Sequence, residues 1–328
     1  MKLLNNCRKA FNARDILYTN MNKEQLQEYF KTHRNSIKIG ASELARRTHS
    51  SIKDVYAARE TFRKTSPNNP SKKNLKILIF DIETAPVKAF VWKMWKENIS
   101  LDQIINDWFV ICWSAKWLGS TNIMGECLTS KEIKKEDDKR VVKALWKLFD
   151  EADIIIAHNA SKFDIPKMNA RFLYHNLIPP TPYRVIDTLE VAKKQFKFTS
   201  NKLDALADFF GFPRKLDTDF NLWKNCLEGK ESALKYMFKY NKYDVELLEA
   251  VYLKLLPWIH NHPNLGNYLD TNNIVCSNCG SSHMELIKNS YYKTQVGTFQ
   301  LYRCKDCGAI SRGRLSVTPK PKTVSLAR

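Results

Sequence analysis

The chain has 328 residues and a net charge of +19, and it is 44% apolar and 12% aromatic. That length suits one medium domain with one or two small modules, and the apolar share excludes disorder across the whole chain. No run approaches the ~18 consecutive apolar residues of a membrane helix. The opening MKLLNNCRKAFNARD also lacks the apolar stretch of a secretory signal, so a cytoplasmic, reducing compartment is expected.

The positive charge lies mostly in the flanks. Residues 1–73 hold 16 Lys and Arg against 6 Asp and Glu, and residues 265–328 hold 9 against 3. Basic flanks suit a polyanionic partner, because each phosphate contact releases counterions. The plainer alternative is a basic surface that keeps the chain soluble.

Residues 1–63 read as helices. MNKEQLQEYFKTH is one, and ASELARRTH followed by SSIKDVYAARETFRK forms a pair with Ser50 or Ser51 as the cap of its second member. A short helix, a tight turn and a basic helix match a helix-turn-helix, with Ser51, Lys53, Asp54 and Arg59 on the exposed second helix. A plain helical appendage fits the same pattern. Residues 64–74, KTSPNNPSKKN, are polar and break every period, as a linker does.

Residues 75–260 alternate strands and helices. LKILIFDIE, WFVICWSAKWL and TNIMGECL are predicted strands. KRVVKALWKLFDEA is an amphipathic helix with Val142, Leu145, Trp146 and Leu148 on one side. DIIIAHN is a buried strand and FDIPKMNARFLYHN a helix with an early proline, which the first turn tolerates. YRVIDT is a short strand leading into LEVAKKQF, and NKLDALADFFGF is a helix stopped by Gly211. SALKYMFKYNKYDVELLEAVYLKLLPWI is a long closing helix. The pattern predicts a mixed α/β sheet covered by helices. Trp92, Trp95, Trp108, Trp113 and Trp117 cluster in and before the early strands. Packing is expected of them, with base stacking by one or two as the alternative.

Four acids stand where a hydrolytic site would need them. Phosphodiester chemistry calls for charge neutralisation and an activated water, which paired divalent cations on carboxylates supply. Asp81 and Glu83 end the apolar strand KILIF and share a face, being two residues apart. Either a cation binds between them or the strand simply runs out into a polar loop. Asp164 follows DIIIAH, at a sheet rim where α/β proteins place sites, or it caps the next helix. Asp244 lies four residues after Tyr240, so carboxylate and phenol share a helical face.

Together these strings resemble the DEDD-type 3′→5′ exonucleases. FDIET is similar to the first motif, HNASKFD to the second, and YNKYD to the tyrosine variant of the third. TSNKLDALADFFGF is similar to the stretch before the third motif in proofreading domains of family B DNA polymerases. The resemblance covers about 75–260 and implies a ribonuclease H-like fold. It implies that Asp81, Glu83, Asp164 and Asp244 hold two Mg²⁺ or Mn²⁺ ions and that Tyr240 orients the attacking water. Asn159 and Phe163 would contact the terminal nucleotide, and 5′-mononucleotides would be released. Single-stranded DNA is the expected substrate, with RNA as the alternative. In family B polymerases a much larger module follows this domain. Only a short basic segment does so here, so polymerisation is not expected. A DNA-binding adaptor built on an inactive nuclease fold, and a structure-specific endonuclease, are the rival readings.

Two Cys-x-x-Cys pairs, Cys276 with Cys279 and Cys304 with Cys307, each run into glycine. Knuckles of this kind present four thiolates to one tetrahedral Zn²⁺, and the span 273–316 reads as a zinc ribbon. Four sulfur ligands leave no open position, so this metal is structural. Redox pairs or a disulfide are the alternative, and a reducing compartment disfavours them. Lys288, Lys293, Arg303, Lys305, Arg312 and Arg314 make the module basic, fit for docking nucleic acid or a protein. Cys7, Cys112, Cys127 and Cys226 read as reduced thiols, with Cys112 in the core. Residues 317–328 are expected to be a flexible basic tail.

Overall fold

Residues 21–32, 41–65, 75–213, 216–269, 271, 273–295 and 297–317 are described by a computed structural model. The predicted linker beyond Thr65, the tail beyond Val317, and Cys7 lie outside these residues. The chain divides into two compact units, Met1–Lys73 and Asn74–Arg328.

The first unit holds α1 (Lys23–Thr32), α2 (Ala41–Thr48) and α3 (Ile52–Thr65). Asn22 and Gln25 bond each other's backbone N–H groups at 2.9 and 3.0 Å, a reciprocal cap that starts α1. Leu26, Phe30, Leu44, Val55 and Ala58 are fully covered and tie the three helices into one small core. His49 takes a left-handed φ of 49° in the turn between α2 and α3. Of the two serines offered as a cap, Ser51 does the work: its Oγ accepts the Asp54 N–H at 3.0 Å. Ser51 and Lys53 are exposed, but Asp54 and Arg59 are half-buried, so the second helix offers less polar surface than its sequence predicts. Among its described side chains, the exposed bulky ones are Ile52 and Tyr56. Helix α3 also runs two residues into the predicted linker.

The second unit is built on a five-stranded mixed sheet. Its strands are β1 (Ile77–Thr84), β4 (Val110–Trp117), β5 (Met124–Cys127), β6 (Ile154–Ala157) and β7 (Arg184–Asp187), in the order β5-β4-β1-β6-β7. Strands β4 and β5 pair antiparallel, as do β1 and β4, while β6 lies parallel to both β1 and β7. The two short strands β2 (Lys88–Ala89) and β3 (Ile104–Asn106) pair with each other in an excursion between β1 and β4.

Helices cover both faces. Leu78, Phe80 and Ile82 point into one core with α5 (Lys139–Glu151), α6 (Asp164–Tyr174) and α9 (Phe220–Leu227). Ile77 and Ile79 point into the other with α7 (Thr188–Gln195) and α8 (Leu203–Phe209). Helix α10 (Glu231–Leu255) serves both, with Met237 and Tyr240 in the first core and Val245, Leu248 and Val251 in the second. Helix α5 buries Val141, Val142, Leu145 and Phe149. The face predicted for it was turned too far, since Trp146 and Leu148 are only half-buried. Two short helices escape the sequence pattern. One is α4 (Ser130–Lys135), started by a Thr129–Glu132 capping box. The other is α9, capped by Asp219. No helix among the described residues is long and apolar enough to cross a membrane.

Strands β8 (Met284–Thr294), β9 (Gly297–Cys304) and β10 (Ile310–Ser316) form a separate antiparallel sheet, compatible with a small zinc ribbon. It belongs to the same compact unit as the larger sheet. Asn278, buried in the first cysteine knuckle, donates to the carbonyls of Leu256 and Ile259 at 2.9 and 3.1 Å, stitching the ribbon to the end of α10.

Candidate functional site

The apolar alternation of β1 decides where its acids point. Ile77 and Ile79 face one core, and Asp81 and Glu83 carry that odd register past the end of the apolar run. Across from them α10 presents Asp244, 3% exposed, and Tyr240 one turn earlier. Asp81, Glu83 and Asp244 each offer an oxygen, and these oxygens lie within 4.8 Å of one another. Three carboxylates this close repel unless a cation lies among them, and hard oxygen donors suit a hard divalent ion. Asn241, wholly buried next to Tyr240, donates to Asp81 Oδ2 at 2.7 Å.

Asp164 stands apart from this trio but abuts it. It is the first residue of α6, with Phe163 as the cap, and is buried. Burial raises its pKa to about 7. The N–H groups of Asp164 itself and of Ile82, which lies between the two β1 acids, pull the other way, and nearby Asp187 adds to the rise. Its Oδ2 is buried with no hydrogen-bond partner. An unanswered buried carboxylate oxygen is costly, and a cation is the ligand that would answer it.

Asp187 ends β7 and is a further strand-end acid that the sequence does not single out. Its carboxylate accepts the N–H groups of Leu189 and Glu190, capping α7, and those of Asn159 and Ser161 at 2.9 and 3.0 Å. It thus clamps the loop that leads from β6 to Asp164. The pattern Asp-Thr-Leu-Glu before a helix is a capping signal that could have revealed it. Asn241 had no such signal. Asn159 takes a left-handed φ of 71°, which Asn tolerates better than most side chains. His158, to which the sequence gives no role, bonds Thr188 Oγ1 and the Asn201 carbonyl at 2.8 and 2.9 Å.

A cleft of ≈ 920 Å³ opens over this region, lined by Asp81, His158, Asn159, Lys202, Tyr240 and Asp244 among others. Glu83 and Asp164 are not on its walls. A second cleft of ≈ 430 Å³, lined by Pro86, Trp108, Lys167, Phe220 and Trp223, shares Thr218 with the first. Lys167 Nζ sits 3.8 Å from the centre of the Trp108 ring and 5.1 Å from that of Phe163.

The sequence expects the tryptophans to pack. Trp113 does so and bonds the Val141 carbonyl at 2.7 Å, and Trp108 and Trp117 are half-buried. Trp92 and Trp95 contradict the expectation, at 94% and 79% exposed. They lie in the β2–β3 excursion, over which no layer packs among the described residues.

In the ribbon the four sulfurs of Cys276, Cys279, Cys304 and Cys307 lie within 4.8 Å of one another. The Cys276–Cys307 and Cys279–Cys304 separations are both 3.6 Å. A disulfide would need about 2.05 Å, whereas a tetrahedron with metal–sulfur bonds of 2.3 Å has edges of about 3.8 Å. Gly280 and Gly308 take φ of 76° and 82° just past each knuckle, a turn that a side chain would strain.

A family model described as the RNase_H superfamily matches residues 116–256. The match covers less than half of the chain, and the similarity is to a ribonuclease H-like fold. The matched stretch contains Asp164, Tyr240 and Asp244, while β1 with Asp81 and Glu83 lies before it. No curated protein matches the chain. The mixed sheet covered by helices agrees with the expected fold. A ribonuclease H-like domain indicates a nucleic-acid hydrolase in general and implies nucleic-acid binding.

Proposed function

We propose that this chain is a 3′→5′ exonuclease of the DEDD type with the tyrosine variant of the third motif. It removes 5′-mononucleotides from a 3′ end, with single-stranded DNA the preferred substrate and RNA the other member of the class. The observation that carries this reading is the meeting of Asp81, Glu83 and Asp244 within 4.8 Å, with the orphaned Oδ2 of Asp164 behind them.

The donor set fits divalent cations, all of its members being carboxylate oxygens. Asp81, Glu83, Asp164 and Asp244 would hold two Mg²⁺ or Mn²⁺ ions, which supply charge neutralisation at the scissile phosphate and acidify a water. The protein's own residues do the positioning. Tyr240 lines the cleft one turn before Asp244, where its hydroxyl orients the attacking water. Asn241 fixes the rotamer of Asp81. Asp187 holds the loop on which Asn159 faces the cleft, and Asn159 and Phe163 contact the terminal nucleotide. The four cysteines suit one structural Zn²⁺, since four thiolates at tetrahedral spacing close its coordination sphere. The N-terminal helix pair, read as a helix-turn-helix, and the basic ribbon would hold nucleic acid or a protein partner.

The test uses single-stranded DNA and RNA labelled at either end, incubated with Mg²⁺ or Mn²⁺ beside the Asp81→Ala variant. Stepwise shortening from the 3′ end, lost in the variant, is expected. Binding without shortening, alike in both proteins, would leave a DNA-binding adaptor as the better account. Elemental analysis of the purified protein should find about one zinc per chain, and none would refute the ribbon metal.

A further inference from the structure

The excursion between β1 and β4 is held by polar groups that bond one another at the surface. The Glu97 carboxylate accepts the Trp92 and Lys93 N–H groups at 3.1 and 2.8 Å. The Gln103 side chain donates to the Phe90 carbonyl at 3.0 Å, and the Phe90 N–H donates to the Gln103 carbonyl at 2.9 Å. Ser100 and Gln103 close a reciprocal cap. The apolar groups face outward: Phe90 and Met94 are 74% and 84% exposed, beside the exposed Trp92 and Trp95. These four large apolar side chains, exposed within residues 90–95, point to an interaction site.

Three exposed lysines, Lys88, Lys93 and Lys96, alternate with these rings. Two acids of the same segment are engaged locally, Glu97 on backbone N–H groups and Asp102 on Ser100. Lysine is depleted in protein–protein interfaces, whereas lysines among exposed aromatic rings make a platform for stacked bases between phosphates. The base of the arm is fixed beside the acids. Thr84 follows Glu83, and the Ala85 N–H bonds the Phe109 carbonyl at 2.8 Å.

We infer that the β2–β3 arm is a stacking platform for single-stranded nucleic acid, with Trp92 and Trp95 as its rings and Lys88, Lys93 and Lys96 as its phosphate contacts. It grips the strand outside the cleft while the 3′ end lies at the acids. This rests on the exonuclease reading for the direction of the strand but not for the binding itself.

The test measures anisotropy of a labelled 20-nucleotide strand in EDTA, then shortening of the same strand and of a trinucleotide with metal added. Trp92→Ala/Trp95→Ala should weaken binding of the long strand by at least roughly tenfold, at 1–3 kcal/mol per lost stack. It should raise KM for that strand with little change in kcat, and leave the trinucleotide unaffected. Trp92→Phe/Trp95→Phe should restore binding, because a ring remains. Thermal melts should coincide, since both side chains are exposed. If the wild type shortens the long strand and the alanine variant binds and shortens it equally well, the platform is refuted and the exonuclease stands. If the wild type shortens nothing yet loses binding with the two rings, the exonuclease falls and the platform stands. Unchanged strand binding with altered self-association in sedimentation would make the arm a protein contact and overturn the inference.

Discussion

Asp138 and Asp164 are buried to about the same degree, and helix α6 reaches both. Asp138 is answered in full. Its Oδ1 accepts from Arg171 at 2.5 Å and meets His175 Nε2 at 2.6 Å, and its Oδ2 accepts the Val110 N–H at 2.9 Å. Asp164, at the opposite end of α6 from Arg171, keeps one oxygen without a partner. A buried carboxylate that the protein satisfies is a lock, here joining β4, α5 and α6. One that it does not satisfy is held at a cost to folding and is better explained by a ligand.

The sharpest way to break this comparison is to neutralise each acid. Asp164→Asn should lower metal-dependent shortening on the order of 10³-fold, the value of several kcal/mol of transition-state stabilisation. Its melting temperature should be unchanged or higher, and a variant that still shortens DNA at the wild-type rate would remove Asp164 from the site. Asp138→Ala should do the opposite, leaving Arg171 unpaired and costing about 3–5 kcal/mol in urea unfolding. Its rate per folded molecule should hold.

Asp187 lies between the two cases, a satisfied acid that serves the site. Asp187→Ala leaves its backbone donors unanswered and should cost about 1–3 kcal/mol. Turnover should slow as the Asn159 loop loosens. Lost stability with an unchanged rate would confine Asp187 to structure.

The smallest effect is the pH dependence of the metal-free protein. Asp164 has a folded pKa raised to about 7 from an ordinary 3.8. Between those values the folded state binds more protons than the unfolded one. Its contribution to stability therefore falls as pH rises from about 4 to 7 and is flat on either side. Asp164→Asn should flatten that slope in melts taken across the range. Added Mg²⁺ should offset the slope near pH 7, where the carboxylate is charged, and matter less below it. A slope that survives in the variant would assign it to another group.

Much of the fold was legible because its signals are local. The apolar run before Asp81, the two-residue step to Glu83, the four-residue step from Tyr240 to Asp244 and the glycine stop after α8 each follow from the period of a strand or helix. The cysteine knuckles are equally local, with spacing and glycine in one string. Helix α4 is not legible even though its capping box is local, because six residues leave too short a period to show.

What the chain order by itself determined is which residues share a face and where the apolar runs end. That was enough for the mixed α/β class, the three motifs and the four cysteines. Only tertiary structure decided which acids meet and which are answered. Asn241 reaches Asp81 across 160 residues, and Arg171 and His175 reach Asp138 across 33 and 37. Tertiary structure also left Trp92 and Trp95 in solvent and set the ribbon against the end of α10. The physical reason is that burial and partnership are properties of packed neighbours, and a period along the chain records only which side a residue faces.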